Sequence, residues 1–294
     1  MILQDFIALS PILDLGAFCL VTMLAIAFRR NHARIAVCAL LSCLFTLATL
    51  PWAATAAPRA VTTLLVVDGH ALLYMGLILS ATMVIIALSY RYLNHQFHEQ
   101  DGVEEYYLLL LLATFGGLVL TTASHFVSFF LGFELLGLSL CSLIGYLRTR
   151  RNPLEAAVKY LLLSITASAF LLFGLALLYF ESGAMTFHEV GVSVKQWQTV
   201  PALWVGGLIL VLVGIALKLG LAPFHMWIPD VYQEHRLPSR HTSRQSPRQR
   251  SWHCSSALPL RSGYWNCHPL CTCSVFWLLS RWSQGMYWRS CNRM

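Results

Sequence analysis

Apolar residues fall in seven long runs, approximately 9–28, 33–53, 71–93, 106–123, 126–147, 157–180 and 201–222. Each is close to the twenty or so residues that cross about 30 Å of hydrocarbon. The pattern predicts seven membrane-spanning helices. Runs four and five are parted by little more than Ser124-His125, which predicts a tight helical hairpin at one surface. The seventh run holds Lys218, is interrupted by Pro223 and continues as a short segment to about Tyr232. Proline removes a ladder donor and clashes with the carbonyl four residues back. A lysine in hydrocarbon costs about 2.5–3.5 kcal/mol on insertion scales, so it is rarely there without a role. The two together predict a helix broken at Pro223 with a titratable group near the break, as in ion-coupled transporters.

Composition supports the membrane reading. The chain is 57% hydrophobic and 11% charged, against about 25% charged in soluble domains. The first run is too long for a signal h-region and lacks a basic segment before it, so it is expected to stay as a span. The formal charge of +7 is unevenly placed: residues 1–233 sum to −1 and residues 234–294 to +8. Cys19, Cys38, Cys43 and Cys141 are scattered in apolar runs, where cysteine acts as a small hydrophobe.

Basic residues in short loops orient a membrane protein. Arg29, Arg30 and Arg34 follow run one, and Arg148, Arg150 and Arg151 follow run five. Both groups lie on one side if every run spans, whereas the other side has only Arg59 and Lys195. The Arg-rich loops are therefore expected in the cytoplasm, with the N-terminus and the loop at 181–200 outside.

Few charged residues interrupt the runs. Glu134 falls near mid-depth of run five, and the whole chain contains only three lysines, Lys159, Lys195 and Lys218. A helix-end acid or a packing hydrogen bond is the plainer reading of Glu134. The sharper one pairs it with a lysine from another helix. Lys159 follows Glu155 at i+4, a surface ion-pair spacing, and a snorkelling interfacial lysine explains it equally well. Lys195, in a polar loop with Glu189, is expected to be solvated. His225 lies two residues past Pro223, where a structural hydrogen bond and a proton relay are both open. No phosphate loop or nucleophile triad is visible. Cys267, Cys271 and Cys273 with His268 match no common zinc spacing, so no metal site is expected.

These segments together resemble a known family. Lys218-Leu-Gly-Leu-Ala-Pro-Phe-His-Met-Trp-Ile-Pro-Asp-Val-Tyr-Gln233 is similar to the broken seventh helix of the antiporter-like membrane subunits of respiratory complex I. Phe129-Phe-Leu-Gly-Phe-Glu134-Leu-Leu and Leu154-Glu-Ala-Ala-Val-Lys159-Tyr-Leu-Leu-Leu-Ser resemble its fifth and sixth helices. The Val-Tyr-Gln ending favours one of three sister subunits. The resemblance covers 1–233 and implies an all-α polytopic fold, with this part being the first half of about fourteen helices arranged as two inverted repeats. It implies a proton path through Glu134, Lys159, Lys218 and His225, in a translocase that couples NADH oxidation to proton transport. It implies no flavin, iron–sulfur cluster or quinone bound by this chain; those belong elsewhere in the complex. The implied partners are other membrane subunits of the complex and the lipid bilayer, with protons as the transported ion and no nucleic acid. The implied location is a bacterial inner membrane. Alternatives of the same fold are Mrp-type cation/proton antiporter and hydrogenase membrane subunits. An alternative of another class is a membrane anchor without transport.

After Gln233 the family continues Gly-Ala-Pro-Ala-Pro-Val-Thr-Ala into an eighth helix, whereas this chain reads Glu234-His-Arg-Leu-Pro-Ser-Arg-His241. One nucleotide string explains both. GGA GCA CCG GCT CCC GTC ACG GCA T encodes the family text, and read one base later it encodes the text here. The shifted register also accounts for composition: Ser, Arg, Cys and Trp make up 30 of the 61 residues from 234 to 294. The tail is therefore expected to be an out-of-frame product rather than a domain. The rival, a basic tail for nucleic acid or anionic lipid, leaves the codon register unexplained.

Overall fold

The computed structural model describes residues 3–28, 30–96, 103–146, 151–196, 199–221 and 224. The protein is an all-α, multi-pass membrane protein. Seven described helices are long and apolar enough to span: α1 (Leu3–Phe28), α2 (His32–Ala56), α3 (Gly69–Gln96), α4 (Glu105–Thr122), α5 (Phe126–Ile144), α6 (Arg151–Ser182) and, after a short α7 (Phe187–Gln196), α8 (Ala202–Leu219). Every expected run is a helix. Several extend past their apolar cores, because helix geometry continues into the interface once the backbone donors are paired.

Two features depart from expectation. The loop between α2 and α3 contains a two-residue antiparallel pair, β1 (Arg59–Ala60) with β2 (Val66–Val67). The segment at 181–200, expected as a loop, holds α7, with Glu189 in its first turn and Lys195 in its last. Those charges complement the helix dipole, so Lys195 belongs to a helix end rather than to a polar loop.

Contacts among the loops establish the alternation of the seven spans. On one face, Arg59 donates to Asp5 at 2.5 Å and to Gln4 at 2.6 Å, tying the N-terminus to the α2–α3 connection. Leu65 bridges Ala123, and His125 bridges Thr186. The Ser124 amide donates to the Leu64 carbonyl, and the Phe187 amide to the Ser124 carbonyl. At the opposite face Arg30 meets Glu105 at 3.5 Å, His32 bonds Tyr107 at 2.8 Å and Ser89 bonds Tyr106 at 2.9 Å. The N-terminus is thus opposite Arg30 and Arg34, as seven crossings require.

The expected hairpin between runs four and five is tight. His125 caps α5: its Nδ1 accepts from the Val127 amide at 3.1 Å, and Ser128 returns a contact to the His125 amide. Gly116 and Gly132 let α4 and α5 touch backbone to backbone. A methyl on Gly116 would lie 2.9 Å from the Leu136 amide nitrogen. Lipid supplies no hydrophobic drive between helices, so such small-residue contacts carry much of the association.

Candidate functional site

Three helices converge on one ion pair. Glu134 is on α5, eight residues after Phe126, or about 12 Å along an axis that rises 1.5 Å per residue. That places it well inside the hydrocarbon. Lys218 is in the last turn of α8 and is buried, its side chain 4% exposed. Its Nζ donates to Glu134 Oε1 at 2.6 Å. The same oxygen accepts from the Ser168 hydroxyl of α6 at 2.5 Å. Glu134 is thus a carboxylate that takes both a hydrogen bond from a packed helix and a lysine from another.

Local packing makes this meeting possible. α6 and α8 approach through Gly174, Gly207 and Gly214. A methyl on Gly174 would sit 2.7 Å from both the Gly207 carbonyl oxygen and the Val211 amide nitrogen. On Gly214 it would sit 2.8 Å from the Ala167 carbonyl oxygen. The approach brings Lys218 past α6 to α5. There Gly137, one turn beyond Glu134, leaves room for the ammonium: a methyl on it would lie 3.7 Å from Lys218 Nζ and 3.4 Å from the Ser164 hydroxyl.

Two further features lie against the ammonium. The Phe133 ring faces Nζ at 5.5 Å, a cation–π distance. Lys218 also sits at the negative end of the α8 dipole. That helix stops at Leu219 with Gly220 in the left-handed region, φ +62°. The Gly220 amide donates to Ala216 and Leu217 carbonyls, and the Leu221 amide to Ala216 at 2.9 Å. The expected break therefore begins one turn ahead of Pro223. The reason is local: the ladder donor for the Leu219 carbonyl would be the amide that Pro223 lacks. Pro223, His225 and the continuation to Tyr232 lie outside the described residues.

Ser168 was not singled out by sequence pattern. Its hydroxyl lies 2.5 Å from Glu134 Oε1 and 2.8 Å from the Ser164 carbonyl, yet it carries one hydrogen. It can serve the carboxylate or its own helix, not both at once. The i,i+4 spacing of Ser164 and Ser168 on an apolar helix was the available signal. It was weak, because serine commonly bonds back to its own helix.

Lys159 stands apart from this cluster. It is exposed on α6 and pairs with Glu155 at 3.0 Å, nine residues before Ser168 and so about 13 Å along the axis. Pairs this exposed contribute little to stability. Among the described residues no group of His, Cys, Asp or Glu is arranged to hold a metal ion.

A family model described as NADH:quinone oxidoreductase/Mrp antiporter, transmembrane, matches residues 123–239. That stretch includes α5, α6, α8 and the positions of Glu134, Lys159, Lys218 and His225. A chain of respiratory complex I from Thermus thermophilus, solved with bound aureothin, is 30% identical. It superposes with TM-score 0.63 over 76% of this chain and 47% of that one. A chain of the membrane-bound sulfane sulfur reductase, an archaeal respiratory membrane complex, superposes with TM-score 0.66 at 20% identity, covering 78% of this chain and 48% of that one. At that identity the second likeness is one of fold. This chain spans about half the length of each solved chain.

Proposed function

We propose that this chain, a complex I-like membrane subunit of the antiporter family, carries protons through the Glu134–Lys218 pair. The reading assigns it to the subunit-N type of a bacterial proton-pumping NADH:quinone oxidoreductase, on the strength of the Val231-Tyr232-Gln233 ending. Redox cofactors and quinone belong to other subunits, and the partners are neighbouring membrane subunits. The Arg-rich loops face the cytoplasm, and the N-terminus faces outward.

One observation carries the reading: a lysine 4% exposed, in the last turn of α8, bonded to a carboxylate inside the membrane. A buried pair is poor evidence for stability, since desolvation offsets its attraction. It is good evidence for a site where charge changes hands. When Glu134 accepts a proton the attraction to Lys218 falls. The ammonium can then move away and release its own proton, and Ser168 turns its hydrogen back to the Ser164 carbonyl. Transfer of the Glu134 proton to the neutral Lys218 amine regenerates carboxylate and ammonium and restores the pair, so one proton has entered at Glu134 and one has left from Lys218. Lys159 and His225 join the path on the strength of the family resemblance alone.

Residues 234–294 are, on this account, an out-of-frame product, and restoring one G after the Gln233 codon recovers the family text. In the frame-restored gene, Glu134→Ala and Lys218→Ala should each cut NADH-driven proton pumping in membrane vesicles. Full pumping in both single variants would remove the basis for the assignment.

A further inference from the structure

A buried carboxylate lies apart from the pair, at the Arg-rich end of the bundle. Glu104 immediately precedes α4 and is 6% exposed. Its Oε2 is buried, with no hydrogen-bond partner among the described residues, and it does not cap its own helix. A buried acceptor left unpaired costs about 1–3 kcal/mol, more if charged. Such an atom marks a place where a proton or a water molecule belongs.

Its neighbours can exchange a proton. The Tyr107 amide donates to the Glu104 carbonyl at 3.2 Å, one turn from the carboxyl, and the Tyr107 hydroxyl reaches His32, the first residue of α2. His32 Nε2 is 2.8 Å from the Tyr107 hydroxyl of α4, which is completely buried. Tyr90 of α3 stacks on the His32 ring at 5.0 Å. Tyr106 packs against Tyr107 and Tyr146, and its hydroxyl bonds Ser89. The nearby charges are Arg30 and Glu105, which pair with each other at 3.5 Å in exposed positions. Imidazole is a side chain whose ordinary titration falls near neutral pH. It meets here the phenols of Tyr90 and Tyr107.

We propose that Glu104 and His32, with the Tyr107 hydroxyl, form a proton-binding site at the Arg-rich face, separate from the Glu134–Lys218 pair. One proton taken from water on that face is held by the Glu104 carboxyl or by the His32 ring. The Tyr107 hydroxyl fixes the ring by accepting from Nε2–H or donating to bare Nε2. No bond other than that to the proton forms or breaks. The role as a loading site rests on the proton-transfer reading above; the binding of the proton does not.

The test is infrared titration of the full chain in nanodiscs, following the carbonyl stretch of protonated carboxyl groups against pH. The site predicts a band that appears on acidification and is lost in Glu104→Gln, which keeps the side chain's volume, but persists in Glu134→Gln. Its midpoint should shift in His32→Gln and, separately, in Tyr107→Phe, which removes only the hydroxyl. A Glu104→Gln titration identical to the parent overturns the proposal, and so does a midpoint indifferent to both His32→Gln and Tyr107→Phe. Pumping by the same variants in the frame-restored complex is read separately. Intact pumping in Glu134→Ala and Lys218→Ala would sink the transport reading while leaving the Glu104 band in place.

Discussion

At the scale of single residues, the site is a carboxylate with two donors on one oxygen. Lys218 and Ser168 reach Glu134 Oε1 at 2.6 and 2.5 Å. Hydrogen bonds to charged groups contribute about 1.5–3 kcal/mol each. Ser168→Ala in the frame-restored complex should therefore unbalance the ionised and protonated states of the cycle and lower NADH-driven pumping, by about ten-fold for each 1.4 kcal/mol of difference between them. Ser168→Thr retains the hydroxyl and should recover much of the rate; equal loss in both variants would show that the hydroxyl is not what matters. Glu134 and Lys218 were legible in the sequence because charge in an apolar run is costly and therefore informative. Ser168 was not, because a serine can satisfy itself within its own helix and leaves no trace in hydropathy. Lys159 shows the converse. Its i+4 spacing from Glu155 correctly described an exposed pair on α6, and only the family resemblance assigns it a place on the path.

At the scale of elements, glycine positions the site in two distinct ways. Gly220 ends α8 because its φ of +62° is one that a Cβ resists. Left-handed backbone costs other residues about 1–2 kcal/mol. Gly220→Ala should lower stability by that amount in denaturant unfolding of detergent-solubilised protein, whereas Gly206→Ala, with open space around it, should be near neutral. Gly174 acts through close approach instead. Its missing methyl allows the Gly207 and Val211 backbones to lie against α6. Gly174→Leu should separate α6 from α8 and weaken the Lys218 contact two turns and more away, visible as loss of pumping together with faster thermal aggregation. Retained pumping would show that α8 is held by other contacts. The seven helices were legible because lipid demands long apolar runs with all backbone groups paired internally. The pair of β1 with β2 and the short α7 were not. They are held by contacts between loops, such as Leu65 with Ala123 and His125 with Thr186, and nothing local in sequence encodes those partners.

At the scale of the whole molecule, the loops of each face are bonded to one another, which fixes seven crossings and puts the N-terminus opposite Arg30 and Arg34. With positive-inside orientation, single cysteines near Arg34 should resist an impermeant thiol reagent applied outside intact cells, and cysteines near Thr62 or Gly183 should react. The reverse pattern would invert the assignment. The bundle divides into a core of α1–α4, which Glu104 adjoins between Val103 and Tyr107, and a second core around α5, α6 and α8, which Glu134 adjoins between Phe133 and Leu136. The account's central claim is that Glu134 and Lys218 work as one device rather than as two separate contributions. A double-mutant cycle on NADH-driven proton pumping, with Glu134→Gln and Lys218→Met in the frame-restored complex, tests it most directly. A single device predicts that the double variant pumps no worse than the poorer single variant. Losses that multiply through the double variant would show two independent groups and contradict the account.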